Sequence, residues 1–390
     1  MNTPPTARQP RPARARPARA RLGRVPAAAL GAALALAAVS ACGDGVSEVP
    51  EPPASPGGAA SFQAATSGEL TVYTWSDYFP VELAAEFEDQ TGIRVTLDYY
   101  ENNEAMMTKL EASGGGGYDI VVPSDYAVDL MVDRGQLMQI NALDLPNGQN
   151  IAADFRDVHY DPGRLYSAPY LYGTTGYAYD ASLLAEGQDP PASWMDYFTV
   201  GEPFAGKVGI MNDQFESVNA ALRAVGAEPC TDNPEELQAA SDLLASFKDK
   251  VLTISSDGIL DRLGTGDNSM AMIWNGASHR ATLTNPDVVY VYAAEGVGSF
   301  QDNWAVTAGA KNVDQALTFI NWMLDPVNAA VAANYQGYNA AIDGVSELLE
   351  PELRANPAIV PPAGAKIDLV PTCSTDVTNK YTQIWETFKG

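Results

Sequence analysis

Between Glu69 and Leu137 the hydrophobic period changes repeatedly, and few folds accommodate such a pattern. "LTVYTW" alternates as a strand does, and "FPVELAAEFEDQTG" places Leu83 and Phe87 four apart before Gly92, where a helix would stop. "IRVTLDYY" is strand-like again. "NNEAMMTKLEA" opens on an Asn cap and ends at "SGGGG"; "YDIVVP" reads as a buried strand and "SDYAVDLMVDRGQL" as a helix opening on Ser. Strands alternating with helices predict a parallel sheet covered by helices. Residues 150–176 are rich in Tyr, Pro and Gly, and "YSAPYLYGTTGYAYD" reads as an extended segment able to cross between lobes. A second set follows: "GKVGIMND" and "MAMIWNG" as strands, "ESVNAALRAVG" and "NPEELQAASDLLASFKD" as helices, then "VVYVYAAEG", "FQDNWAVTAG" and the helices "NVDQALTFINWMLD" and "PVNAAVAANY". The expectation is an α/β protein of two lobes, with no internal repeat.

Ligands of open parallel sheets bind beyond the carboxyl ends of the strands. Trp75-Ser76-Asp77-Tyr78 stands at such an end, and so do Ser124-Asp125-Tyr126, Asn212-Asp213 and Trp274-Asn275. Four strand ends thus deliver aromatics and carboxylates toward one cleft if the lobes face each other. Asp125 is read as a helix-cap or first-turn acid, and Asp213 could also cap the helix after it.

The chain has 390 residues, and its first 24 carry seven Arg and no acid. An Ala- and Leu-rich run follows, then "AVSAC" ending at Cys42. This reads as a secretory signal over 1–41, too short and Ala-rich for a spanning helix. Residues 42–68 are rich in Gly, Pro, Ser and Ala and are expected to form a flexible tether. Removing 1–41 leaves 49 acids against 16 bases, a formal −33, which repels nucleic acid and favours cationic partners. With Cys42 set aside, Cys230 and Cys373 remain, and in an oxidising compartment one disulfide between them is possible.

Motifs for catalysis or metal binding are missing from the sequence. His159 and His279 are far apart, no Cys/His set has metal-ligand spacing, and there is neither a G-x-S-x-G elbow nor a phosphate-binding loop. Tyr99 and Tyr100 do not form a tyrosine pair for iron, because neighbours in a strand face opposite ways. No cofactor is expected.

The blocks "YTWSDYFPVELAAEFEDQTGIRV", "YDIVVPSDYAVDLM", "MIWNGAS", "AAEG" followed by "FQD", and "NYQGYNAA" stand in the order found in a known family. From Leu70 to the C-terminus the chain resembles the spermidine/putrescine-binding proteins of bacterial ABC importers, and "AVSAC" resembles the lipobox of bacterial lipoproteins. The resemblance implies a two-lobed periplasmic-binding-protein-like fold (type II) with crossing hinge strands. Lobe 1 is expected over 69–175 plus 300–346, and lobe 2 over 176–299 plus 347–390. It also implies lipid on Cys42, an extracytoplasmic location, a monomer, and an ABC permease as membrane partner.

The resemblance further implies ligand contacts at Trp75, Ser76, Asp77, Tyr78, Ser124, Tyr126, Asp213, Glu216, Trp274, Phe300, Asp302 and Tyr338, with a weaker match at Ser374. A polyamine is a methylene chain bearing ammonium groups charged at pH 7. Asp302, with Glu216 or Asp213, would hold ammonium groups, and Asp77 another end or a water. Trp75, Tyr78, Trp274 and Phe300 would line the methylenes and add cation–π attraction of roughly 0.5–2 kcal/mol each. Subtype signals conflict: Ser76-Asp77 and Phe300 resemble putrescine-preferring members, while Tyr126, Asp213 and "WNG" resemble spermidine-preferring ones. Ala277 stands where the putrescine type has an Asp, and Ser374 where the spermidine type has a Gln. Three carboxylates suit more than two amines, which tilts the reading to spermidine. A receptor of the same fold for a sugar or another cation, a polyamine sensor, and an extracytoplasmic hydrolase are the competing readings.

Overall fold

The computed structural model describes residues 60–390. The expected signal, Cys42 and most of the expected tether lie outside the described residues. The end of that tether is seated on the protein. The Ala60 N–H donates to Gln139 O at 3.0 Å, the Ala65 N–H donates to Thr318 Oγ1 at 2.9 Å, and Phe62 packs against the core.

The strands are β1 (Gly68–Trp75), β2 (Ile93–Tyr100), β3 (Ile120–Val121), β4 (Ser167–Asp180), β5 (Val208–Ile210) and β6 (Val251–Ile254). They continue with β7 (Met270–Trp274), β8 (Val288–Val291), β9 (Val297–Val306), β10 (Asn339–Ala340) and β11 (Ile367–Leu369). Their main path runs β2-β1-β3-β9-β4-β7-β5-β6. Each wing is parallel, as the strand–helix alternation predicts: β1 with β2 and β3 on one side, β5 with β6 and β7 on the other. The centre is antiparallel. β9 pairs with β3 and β4, and β4 pairs with β7.

β4 and β9 therefore belong to both lobes. β4 pairs with β9 through Ser167–Thr175 and with β7 and β8 through Thr175–Asp180. The β4–β9 register slips between Pro169 and Tyr172, where proline brings no N–H to the ladder. The Tyr-rich stretch read as a crossing segment is β4 itself with its lead-in residue, buried along nearly its whole length.

In β1 the alternation sorts side chains to two faces. Leu70 and Val72 join Phe87, Trp304 and Phe319 on one side, and Tyr73 joins Met106, Val121 and Met131 on the other. The helix Val81–Thr91 buries Leu83 and Phe87 and stops at Gly92, whose φ of 73° lets its N–H reach Glu88 O at 2.7 Å. The second lobe is built on Tyr177, Trp194, Tyr197, Leu222, Phe247 and Met272.

Leu349, Leu353 and Ile359 pack in the first core, and the Ala358 carbonyl beside them accepts from Asn275 Nδ2 at 3.1 Å and the Tyr292 hydroxyl at 2.7 Å of the second lobe. The chain returns to the second lobe through β11 and the helix Thr375–Lys389, which buries Tyr381 and Trp385 there.

Cys230 and Cys373 form a disulfide between segments 143 residues apart, with a Cα–Cα separation of 5.1 Å. It ties the loop before the helix Pro234–Phe247 to the loop before the last helix, and the Tyr381 hydroxyl accepts from the Cys230 N–H at 2.9 Å. Closing so long a loop restricts the unfolded chain strongly. Replacing both with Ser is expected to lower the unfolding free energy by roughly 2–5 kcal/mol. Urea unfolding checks this, and an unchanged midpoint would contradict it.

Candidate functional site

A cavity of about 240 Å³ lies between the lobes, where the strand ends of both wings meet the middle of β9. Of the twelve expected contacts, all line it: Trp75, Ser76, Asp77, Tyr78, Ser124, Tyr126, Asp213, Glu216, Trp274, Phe300, Asp302 and Tyr338. Ser374 does not. It is an exposed cap of the last helix, accepting from the Val377 N–H, and Val370 is the wall residue from that part of the chain.

Asp302 sits at the floor, 4% exposed, on the strand both lobes share. The Tyr78 hydroxyl donates to its Oδ2 at 2.6 Å and the Ser124 hydroxyl to its Oδ1 at 2.7 Å. Ser124 begins its helix as expected, but its side chain gives no cap bond and turns to Asp302 instead. Burial pushes the Asp302 carboxyl up to about 7, against the pull of those two donors. Asp125 stands in the first turn of its helix, where it accepts from the N–H groups of Tyr126 (2.8 Å) and Gln301 (3.2 Å), and it also lines the cavity. Burial raises it, too, to about 7.

A second acidic group faces the cavity from the opposite lobe. Asp213 caps the helix Gln214–Ala224, accepting from the Glu216 N–H at 3.0 Å, and also lines the cavity. Glu216 accepts from Thr175 Oγ1 of β4 at 2.8 Å. Burial raises both carboxyls, and the charge of Asp213 raises Glu216 further. Glu104 stands behind them, also raised by burial and by Asp213, and accepts from the Tyr126 hydroxyl at 3.3 Å. None of the ion pairs among the described residues involves Asp302, Asp213, Glu216 or Glu104.

The walls are aromatic. Trp75 of the first lobe meets Trp274 of the second edge to face at 6.0 Å, and Trp75 Nε1 donates to Val122 O at 3.0 Å. Tyr126 stacks on Phe215 across the lobes at 4.3 Å. Phe300 and Tyr78 meet Tyr338 at 5.7 and 6.1 Å. Two glycines make room for the packing here: a Cβ on Gly276 would lie 2.5 Å from Tyr338, and one on Gly173 would lie 2.4 Å from Asn275 Oδ1.

Asp77 lines the cavity with its carboxylate already paired. Arg280 takes its Oδ2 at 2.6 Å, and the Tyr335 hydroxyl donates to its Oδ1 at 3.1 Å. On the far rim Glu101 of the first lobe accepts from the Ser256 N–H (2.9 Å), Ser255 Oγ (3.1 Å) and Asn212 Nδ2 (3.1 Å) of the second. The lobes are thus closed on each other. Thr175, Phe215, Glu101, Glu104 and Arg280 do not stand out in the sequence, where each reads as ordinary strand, helix or loop.

A family model for bacterial extracellular solute-binding proteins matches residues 82–361. The spermidine/putrescine-binding periplasmic protein of Escherichia coli (strain K12) is 32% identical over 308 residues, covering 78% of this chain and 87% of that protein. The putrescine/cadaverine-binding protein of Pseudomonas aeruginosa is 29% identical over 321 residues, covering 80% of this chain and 90% of that one. The solved spermidine/putrescine ABC transporter substrate-binding protein of Streptococcus pneumoniae superposes with a TM-score of 0.68 at 27% identity, over 83% of this chain and 99% of that one. The two-lobed binding-protein fold expected from the sequence is the observed one.

The raised carboxyls set a pH dependence for the empty protein. In the unfolded chain these acids ionise near pH 4. Between about pH 4 and pH 7 the folded state holds more protons than the unfolded one, so stability falls as pH rises through that window. The thermal midpoint without ligand is expected to be higher at pH 5 than at pH 8, with a shallower slope in Asp302→Asn. Scanning calorimetry across pH checks this; a midpoint that climbs from pH 5 to pH 8 would contradict it.

Proposed function

Because the chain belongs to the bacterial extracellular solute-binding protein family, we propose that it captures a polyamine between its lobes and delivers it to an ABC permease, with no catalysis of its own. The observation that carries this reading is the set of cavity carboxylates that enter no ion pair among the described residues and are enclosed by aromatic rings. Leaving such acids uncompensated is costly, and an ammonium group offsets that cost by charge-assisted hydrogen bonds. At about 4 Å and an effective dielectric of ~20, one such pair contributes about 4 kcal/mol before desolvation. The rings suit methylenes and attract ammonium groups through their faces. A neutral sugar would give these acids no counter-charge, which disfavours it.

Asp302 is proposed to bind one ammonium group and the Asp213–Glu216 pair another. Trp75, Tyr78, Tyr126, Trp274, Phe300 and Tyr338 would hold the chain between them, with Ser76 at the rim and Ser124 orienting Asp302. Ligand would favour closure because one charged end meets Asp302 on the shared strand β9 and the other meets Asp213–Glu216 of the second lobe, in a hinge motion about β4 and β9. The basic and apolar leader with Cys42 supports secretion and a lipid anchor on the outer face of a membrane.

Titration calorimetry with putrescine, spermidine and spermine, with arginine and maltose as controls, tests the reading. One-to-one amine binding at micromolar or better, about −8 kcal/mol, is expected, weakened tenfold or more in Asp302→Ala. Because ligand favours the ionised acids, binding near pH 7 is expected to release protons, seen as heats that differ between buffers of different ionisation enthalpy. No amine heat, after unfolding and refolding to strip carried-over ligand, would sink the polyamine reading.

A further inference from the structure

Arg280 lies on the helix Asn275–Thr282 that follows β7 in the second lobe. Its guanidinium reaches across to the first lobe. It contacts Asp77 Oδ2 at 2.6 Å and Gln336 Oε1 at 3.1 Å, and lies 5.2 Å over the Tyr335 ring. Asp77 is held from its own side as well. Its φ is 53°, and its carbonyl oxygen accepts from Gln336 Nε2 at 2.6 Å. Both Asp77 and Arg280 line the cavity. One end of the site therefore carries an internal ion pair, whereas Asp302, Asp213 and Glu216 enter none among the described residues.

A guanidinium does not deprotonate in a protein, so this charge is permanent. An ammonium group reaching the Asp77 end would meet a carboxylate already neutralised and a like charge beside it. Asp77 is half exposed, so a third ammonium group there would keep its water but gain no counter-ion and would face the repulsion of Arg280.

We propose that Arg280 is a specificity-determining residue, a resident cation that withholds Asp77 from the ligand, so that no further ammonium group is held at that end of the site beyond those at Asp302 and Asp213–Glu216. This rests on the polyamine reading above. It makes a diamine the better-matched ligand, because selectivity here comes from a repulsive element as much as from an attractive one. It also reverses the tilt to spermidine drawn from counting carboxylates. A mere clasp between the lobes would act on every ligand alike.

The test is the ratio of spermidine to putrescine affinity, measured by calorimetry on the purified protein and its variants. Arg280→Met is expected to raise that ratio tenfold or more, Arg280→Lys to keep it near the wild-type value, and Asp77→Asn added to Arg280→Met to cancel the gain. A ratio unchanged in Arg280→Met, with both affinities moving together, would overturn the inference and leave Arg280 as a clasp. So would a gain that survives loss of the Asp77 charge. Failure of the wild-type protein to bind either amine would overturn the polyamine reading and this inference with it; binding with an unchanged ratio overturns this inference alone.

Discussion

The antiparallel pairing of β4 with β9 governs where everything else in the molecule is placed. These two strands are the seam of the sheet: one wing hangs from β9 through β3, the other from β4 through β7. Both strands are interior to the sheet, so their backbone groups are paired on both sides and hold the lobes together. Phe300, Asp302 and Thr175 sit on the seam itself, whereas Trp75–Tyr78 and Asp213–Glu216 stand on the ends of wing strands. The site thus has a floor on the strands common to both lobes and walls on the separate wings.

Electrostatics acts against the stability of this seam. Asp302 is placed in the middle of a buried strand, where a carboxylate is costly, and the Tyr78 and Ser124 hydroxyls are the side-chain donors that solvate it. Across the cavity Asp213, Glu216 and Glu104 crowd together, with the Asp213 and Glu216 oxygens partly occupied by a helix N-terminus and a Thr hydroxyl. The strongly acidic composition is therefore more than a solubility feature: part of the excess is concentrated in the cleft. Among the described residues, the cation at the cavity wall that pairs with an acid there, Arg280, is committed to Asp77. The distribution of paired and unpaired acids along one cavity is what gives the site an inside and a rim.

Most elements were legible from hydrophobic period and caps, and the crossing segment from its Tyr- and Gly-rich run. Asp302 was marked by the family resemblance, through the "FQD" block that follows "AAEG". Contacts formed across long stretches of chain were not legible. Ser124 looks like a helix cap, and only the approach of β9, 178 residues away, turns its hydroxyl to Asp302. Asp77 looks like a free rim acid until a helix of the other lobe brings Arg280 to it, 203 residues on. Ser374 matched a binding position by resemblance, yet it caps the last helix and Val370 stands at the wall instead.

Residue order alone dictates the local elements and the chemical class of the side chains at the strand ends. Those follow from periodicity, capping residues and turn glycines, which act within a few neighbours. Which carboxylates remain unpaired and which donors turn toward them are settled by the assembled fold. Those outcomes depend on distances between residues far apart in the chain, and such distances exist only once β4 and β9 have drawn the two wings together.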